Sequence, residues 1–317
     1  MLFKNLLVPV APEQTITSSL NNIFNMADKS ESKITLLTVI EDMNELKEIS
    51  QYSVRTLDII DKVTKTYHSQ LRSLVSELRG RYQNIDFNIQ VRIGIPFIEI
   101  IQCAREDNSD YIVIDSHRSN KTQACQRGST TLHLMRKSEI PIWSTTNELH
   151  SSKKILAAVD LEEQASAELC KKIFNAAYDL CKATSSELIL CHIWELESEG
   201  FLRKWSGYND TDIAHLTDQM RAERLRKLNA LVENLIEEDS DSVKVNIDLI
   251  QGHAKELLPQ LIVQKSIDVT FLGSMSRTGI AGYLMGNKAE YWLNELDATV
   301  VTLKPDEFLS PIVSAKQ

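Results

Sequence analysis

The 317 residues are 43% hydrophobic, enough apolar material for about two domains at roughly 150 residues each. A net charge of −9 argues against a general nucleic-acid binder, whose footprint is a basic patch or stripe. Five cysteines without a C-x-x-C pair leave no readable zinc site and point to thiols in a reducing cytosol; no stretch approaches the roughly 18 uncharged apolar residues of a membrane span, and the apolar run in "MLFKNLLVPVAPEQ" is too short for a signal peptide, so a soluble cytoplasmic protein is expected.

The chain opens on a short apolar strand, "FKNLLVPVAPEQ" from Phe3, and continues to a β-rich run, "SKITLLTVIED" from Ser32. "GIPFIEIIQCAREDNSDYIVID", Gly94 to Asp115, reads as a glycine turn, a helix and an apolar strand preceded by Asp110. "IPIWSTT" is short, β-branched and bounded by turn-formers, so it reads as a strand ending the first half, and "TNELHSSKK" from Thr146 is a polar linker. The same order then recurs. "SKKILAAVDLEEQ" repeats the first strand, with Leu6 and Ile155 149 positions apart. A helix follows in which Ala165, Leu169, Ile173, Ala176, Leu180 and Ala183 form one apolar stripe. "SELILCHIWEL" from Ser186 repeats the second strand. The stretch 195–219 is longer and less periodic than its counterpart; its Trp205 and Tyr208 read as anchors of an insertion, or as cover for a cleft. A second helical stripe runs through Leu225, Leu228, Val232 and Leu235. "GHAKELLPQLIVQKSIDVTFLG", Gly252 to Gly273, matches Gly94 to Asp115 over the same 21 steps, with Asp268 in the place of Asp110. "ATVVTLKP" reads as the closing strand. Two halves that each alternate strand and helix predict an α/β fold with a parallel sheet in each half.

The loop after the last repeat match carries the most chemistry. Gly273, Gly279, Gly282 and Gly286 fall within fourteen positions, between an apolar run and an amphipathic one. A glycine-rich turn leading from a strand into a helix holds phosphate through backbone N–H groups and the helix N-terminus; the alternative is a flexible loop. Asn287 with Glu290 three residues on also reads as a helix cap, and Lys288 either adds a cation to an anion site or is simply solvated.

The lysine-flanked first strands, the Gly252 turn and above all "LGSMSRTGIAGYLMGNKAE" resemble the universal stress protein family, and the two-domain arrangement with "LHLMRKSEIPIW" is similar to its E-type tandem members. With the repeat, the resemblance implies two tandem Rossmann-like domains of the adenine-nucleotide-hydrolase kind, residues 1–149 and 150–317. Each is expected to be a five-stranded parallel sheet in the order 3-2-1-4-5, with a ligand cleft where the order reverses. Single-domain relatives pair through their final strands, which implies an intramolecular pseudo-dimer with "IPIWSTT" beside "ATVVTLKP" and Ile142, Val300 and Val301 at the seam.

Nucleotide-binding members of the family show a glycine, two residues, a glycine, nine residues, then a glycine and a small hydroxyl residue. Here that spacing falls on Gly273, Ser276, Gly286 and Asn287, and in the first half on Asp115, Arg118, Gly128 and Ser129. The family's aspartate after the first strand corresponds to Asp160, but to Ala11 in the first half. The resemblance therefore implies a cleft ringed by Asp160, Ile193, Gly273, Ser276, Gly286, Asn287 and Lys288 that takes ATP or another adenine nucleotide. The first-half counterpart, Ala11, Val39, Asp115, Arg118, Gly128 and Ser129, reads as degenerate, because Asp115 would set a carboxylate against phosphate. Arg118 either pairs with Asp115 or meets an anion.

No residue is assigned a catalytic role. The chain lacks the G-x-x-x-x-G-K-[ST] loop, the G-x-S-x-G elbow and the S-G-G-x-D-S loop of related hydrolases and synthetases. His192 and His253 read as core or tautomer-locked residues. Two functions follow: a ligand-sensing stress regulator without turnover, read by a regulatory protein partner, or a binding module whose apolar cleft takes an acyl or lipid-like molecule. Weak ATP hydrolysis is a distant third, and further homo-oligomerisation is left open.

Overall fold

The computed structural model describes residues 3–11, 16–41, 54–116, 128–145, 154–161, 167–236, 243–274 and 298–314. By contacts the chain forms two compact units, Met1–His150 with Ser274–Gln317, and Ser151–Gly273.

In the first unit, strands β1 (Asn5–Pro9), β2 (Lys33–Ile40), β3 (Asp86–Ile93), β4 (Tyr111–Asp115) and β5 (Ile142–Thr145) pair in parallel in the order β3-β2-β1-β4-β5. That is the order 3-2-1-4-5 expected from the repeat. Helices α1 (Ser18–Lys29), α2 (Val54–Arg81), α3 (Pro96–Glu106) and α4 (Ser129–Lys137) connect them. In the second unit, β6 (Lys154–Ala158), β7 (Glu187–Trp194), β8 (Val245–Gln251) and β9 (Val269–Gly273) pair in parallel as β8-β7-β6-β9. Its helices are α5 (Ala167–Thr184), α6 (Glu199–Trp205), α7 (Asp210–Ile236) and α8 (Ala254–Lys265).

Central strands of such sheets are covered on both faces and read as unbroken apolar runs. Leu6, Leu7 and Val8 of β1 and Ile155, Leu156 and Ala157 of β6 are buried accordingly. In α5 the expected stripe is buried at Ile173, Ala176 and Leu180 and widened by Phe174, Ala177, Tyr178 and Cys181, whereas Ala183 is exposed and Ala165 lies outside the described residues. In α7 only Leu228 of the expected stripe is buried; Leu225 is exposed, Val232 is half-buried, and the side chain of Leu235 is outside the described residues.

The repeat is visible at hydrogen-bond level. Asp110 Oδ2 accepts from the main-chain N–H of Lys4 (3.0 Å) and Asn5 (2.8 Å), and its own N–H donates to Asn5 O (2.7 Å). Asp268 does the same at β6, accepting from Lys154 N (2.9 Å) and donating to Lys154 O (2.9 Å). Helices α1, α3, α5 and α8 each run into a non-glycine residue in the left-handed region, namely Glu31, Asn108, Ser185 and Ser266 with φ of 49 to 53°. The next residue donates back five positions in every case: Ser32 to Ala27, Ser109 to Ala104, Ser186 to Cys181 and Ile267 to Ile262. This closing bond satisfies a terminal helix carbonyl and offsets the cost of positive φ.

The closing strand, β10 (Thr299–Leu303), belongs to the first unit and pairs antiparallel with β5, with Val300 opposite Ser144, Val301 opposite Trp143 and Thr302 opposite Ile142. The expected pairing of the two final strands is therefore present. Just beyond β10, Lys304 is 3% exposed. Its Nζ donates to Arg136 O and Ser274 O (both 3.2 Å) and sits 4.6 Å above the Phe308 ring, while Ser274 Oγ donates to Met135 O (3.3 Å). Two carbonyls at the end of α4, which have no partner inside the helix, are thereby capped by residues distant in sequence.

Burial pushes the Lys304 amine from its ordinary 10.5 down to about 7. Between these values the unfolded chain holds a proton that the folded chain has lost, so stability climbs as pH rises from 7 toward 10.5, and the penalty is fully in force below 7. Lys304→Met should remove that dependence. The unfolding free energy of the wild type should gain on the variant's by up to about 1.4 kcal/mol per pH unit between pH 7.5 and 9.5 in chemical denaturation; parallel curves would show that Lys304 titrates normally.

Candidate functional site

In an open parallel sheet, ligands bind beyond the carboxyl ends of the strands, at the point where strand order reverses. In the second unit that point is β6, flanked by β7 on one side and β9 on the other. Ala158 is in register with both Cys191 and Leu272. Asp160 therefore follows the end of β6 at the same edge where Ile193 nears the end of β7 and Gly273 ends β9. Of the residues nominated from the sequence, Asp160, Ile193 and Gly273 are brought to this edge; Ser276, Gly286, Asn287 and Lys288 lie outside the described residues.

The turn that carries Asp160 is held from below. Val159 N–H donates to Cys191 O (2.9 Å), and Val159 O is met by Nδ1 of His192 (3.0 Å), which is 1% exposed. A carbonyl oxygen only accepts, so Nδ1 carries the proton and the ring is locked in that tautomer. The Cys170 thiol, from the first turn of α5, donates to Asp160 O (3.2 Å). The first unit builds the same turn with other groups: Val10 N–H donates to Leu37 O (2.9 Å), and Thr38 Oγ1 donates to Val10 O (3.0 Å). His192 thus does the work of a threonine hydroxyl, which agrees with its reading as a core residue. His253, at the start of α8, is exposed and so is not the core residue expected; its Nδ1 lies 2.5 Å from Glu195 Oε2.

Gly273 has a packing reason of its own. A Cβ there would come within 2.9 Å of Leu169 Cδ2 on α5, the movable end of a half-buried side chain, so packing favours a glycine here without demanding one. In the first unit the corresponding edge carries the exposed Ala11, the half-buried Val39 and Asp115, with Gly128 as N-cap and Ser129 as first residue of α4; Arg118 is outside the described residues. Gly128 has φ of −59°, a value any residue adopts. Beside Asp115, the Ser116 and Ser144 hydroxyls share a hydrogen bond and Ser116 N–H donates to Thr145 O (2.9 Å).

This edge thus brings together a carboxylate, a glycine packed beside Leu169 and a histidine committed to a main-chain carbonyl. Asp160 can accept hydrogen bonds from ligand hydroxyl or amino groups. Among the described residues, no three His, Cys, Asp or Glu side chains cluster as metal ligands, and no helix is long and apolar enough to cross a membrane. Sequence reasoning missed Cys170, whose contact depends on α5 starting directly behind the turn, a placement that no local pattern carries.

Comparison with known proteins places these features in context. A family model described as "Universal stress protein family" matches residues 2–144 and again 151–304. The chain is 24% identical to Universal stress protein E of Escherichia coli strain K12, covering 98% of this chain and 97% of that protein. It is 21% identical to Universal stress protein E of Photorhabdus laumondii, with 99% of each covered. Among solved structures it is similar to a putative universal stress protein from Pseudomonas aeruginosa UCBPP-PA14, with a TM-score of 0.70 at 20% identity, covering 99% of this chain and 96% of that one.

Among the described residues four cysteines are buried, two of them, Cys170 and Cys191, around the Asp160 turn. Burial pushes the thiols of Cys103, Cys181 and Cys191 up to about 12. Since the thiolate is the nucleophile, these three should resist alkylation in the native protein. Iodoacetamide at pH 8 should leave them unmodified in peptide mass spectrometry until denaturant is added; native labelling of any of them would contradict the packing.

Proposed function

We propose a function that starts from one fact: the chain belongs to the universal stress protein family. It acts in the stress response as a non-catalytic regulator in the cytoplasm. A small molecule occupies the carboxyl-end cleft of the second repeat, and a protein partner reads the occupied state. The observation that carries this reading is the convergence of Asp160, Ile193 and Gly273 at the ends of three adjacent strands where strand order reverses.

The ligand we assign is an adenine nucleotide. Support comes from the spacing Gly273, Ser276, Gly286, Asn287, followed by Lys288, and from Asp160, a carboxylate suited to ribose hydroxyls. The first repeat has Ala11 and Asp115 in the equivalent places, so it lacks that acceptor and opposes phosphate with a like charge. Its role is structural, in a domain spanning residues 1–149, while residues 150–317 form the ligand-binding domain. A second reading is an acyl or lipid-like ligand, because Gly273 packs beside Leu169 and so does not by itself imply phosphate.

Calorimetry with ATP separates the possibilities. Wild-type protein should bind, Asp160→Ala or Gly286→Val should abolish binding, and Arg118→Ala should leave it intact. Valine at 286 would replace a glycine of the phosphate-loop spacing with a β-branched side chain. Equal losses from both repeats would refute the asymmetry; absence of nucleotide binding, with a lipid retained in native mass spectrometry, would establish the second reading.

A further inference from the structure

Helix α6 buries none of its residues, yet it carries two large aromatics: Phe201 is 63% exposed and Trp205 68%. Tyr208, just beyond its end, is also exposed. The insertion's aromatics therefore do not anchor it, contrary to the sequence reading. Phe201 and Trp205 lie one helical turn apart, with ring centroids 6.3 Å from each other and planes inclined at 34°, and together make a continuous outward ridge. Clustered exposed aromatics of this kind mark interaction surfaces, whereas a single exposed apolar residue needs no explanation.

Ion pairs and a reciprocal cap join α6 to the start of α7. Arg203 bridges Glu199 (2.9 Å) within α6 and Asp210 (2.6 Å) at the start of α7. Asn209 and Asp212 exchange reciprocal hydrogen bonds of 3.0 Å at the same junction.

Charge selects the occupant. Within the segment that carries the ridge, Glu197, Glu199, Asp210 and Asp212 outnumber two cations, Arg203 and Lys204. Arg203 is spent on Glu199 and Asp210, and Lys204 Nζ lies 5.3 Å from the centroid of the Trp205 ring. A second copy would set this acidic flank against itself, and an anionic bilayer would be repelled by it. A cationic partner with an apolar stripe meets both features. Side chains one turn apart on α6 advance about 6 Å along the axis, the spacing that a facing helix accommodates with apolar residues at i, i+3 and i+4.

We propose that the Phe201–Trp205 ridge of α6 docks a basic amphipathic helix of a partner protein. This does not depend on what fills the second repeat's cleft. The test uses the full-length protein and two fluorescein-labelled 18-residue helical peptides, one of leucine and lysine, the other of leucine and glutamate, followed by anisotropy at physiological salt. The Leu/Lys peptide should bind and the Leu/Glu peptide should not. The double variant Phe201→Ser, Trp205→Ser should weaken binding at least tenfold with an unchanged melting temperature, because both residues are exposed. Glu197→Lys, which leaves the ridge intact, should weaken it about threefold and decides the matter if the double variant misfolds. The proposal is overturned if the wild type ignores the Leu/Lys peptide, if the variants bind it as the wild type does, if light scattering shows a dimer that the double variant dissolves, or if the ridge instead binds phosphatidylserine vesicles.

Discussion

Asp110 and Asp268 each clamp the first strand of their repeat to the fourth at two points: the carboxylate accepts from the main chain just before or at the start of the first strand, and the aspartate's own N–H returns a bond to the carbonyl there. A parallel pair has no tight turn to set its register, since its strands are joined by long crossovers, so a contact at the strand start has to do so. Once Lys154 is clamped to Asp268, β6 and β9 advance in step, and their carboxyl ends arrive at the same level. The position of Asp160 relative to Gly273 follows from that alignment, one sheet-length away from the clamp. Charge-assisted bonds to main-chain N–H groups are among the stronger ones available, which suits a task that local hydrogen bonding within the helices cannot perform.

Closing the sheet raises a different problem. β5 ends a parallel run, and a buried, β-branched edge with unpaired main-chain groups invites association. β10 removes the edge by pairing antiparallel with it. The same return of the chain brings Lys304 and Ser274 to the end of α4, where carbonyls would otherwise be orphaned. Burying an ammonium without a counter-charge is costly, and here the offset comes from two carbonyls and the face of Phe308 rather than from a carboxylate. The first unit therefore depends on residues from the far end of the chain for both its edge and a helix terminus.

The two turns at the strand ends show how one backbone geometry accepts different chemistry. Thr38 and His192 both satisfy the carbonyl of the valine that ends the turn, but a hydroxyl and an imidazole leave different space and polarity above them. With Ala11 and Asp115 in one repeat against Asp160 and Gly273 in the other, this places the edge carboxylate on a different strand in each repeat without altering the fold beneath either. Duplication followed by divergence at the rim is compatible with a core whose apolar runs are matched strand for strand.

Much of this architecture was legible in the amino-acid order alone. Apolar runs separated by stripes of helical period determine a parallel α/β alternation, and the 21-step match from Gly94 and Gly252 determines the equivalence of Asp110 with Asp268 and so the level of Asp160, Ile193 and Gly273. These follow because periodicity and spacing are local properties that burial acts on directly. Tertiary structure alone decided that Glu31, Asn108, Ser185 and Ser266 take left-handed conformations that glycine usually fills, that Gly273 answers to Leu169, that Cys170 reaches the Asp160 carbonyl, and that Trp205 and Tyr208 face outward. Each of these depends on which distant element occupies, or leaves empty, the space beside a residue, and no local pattern carries that information.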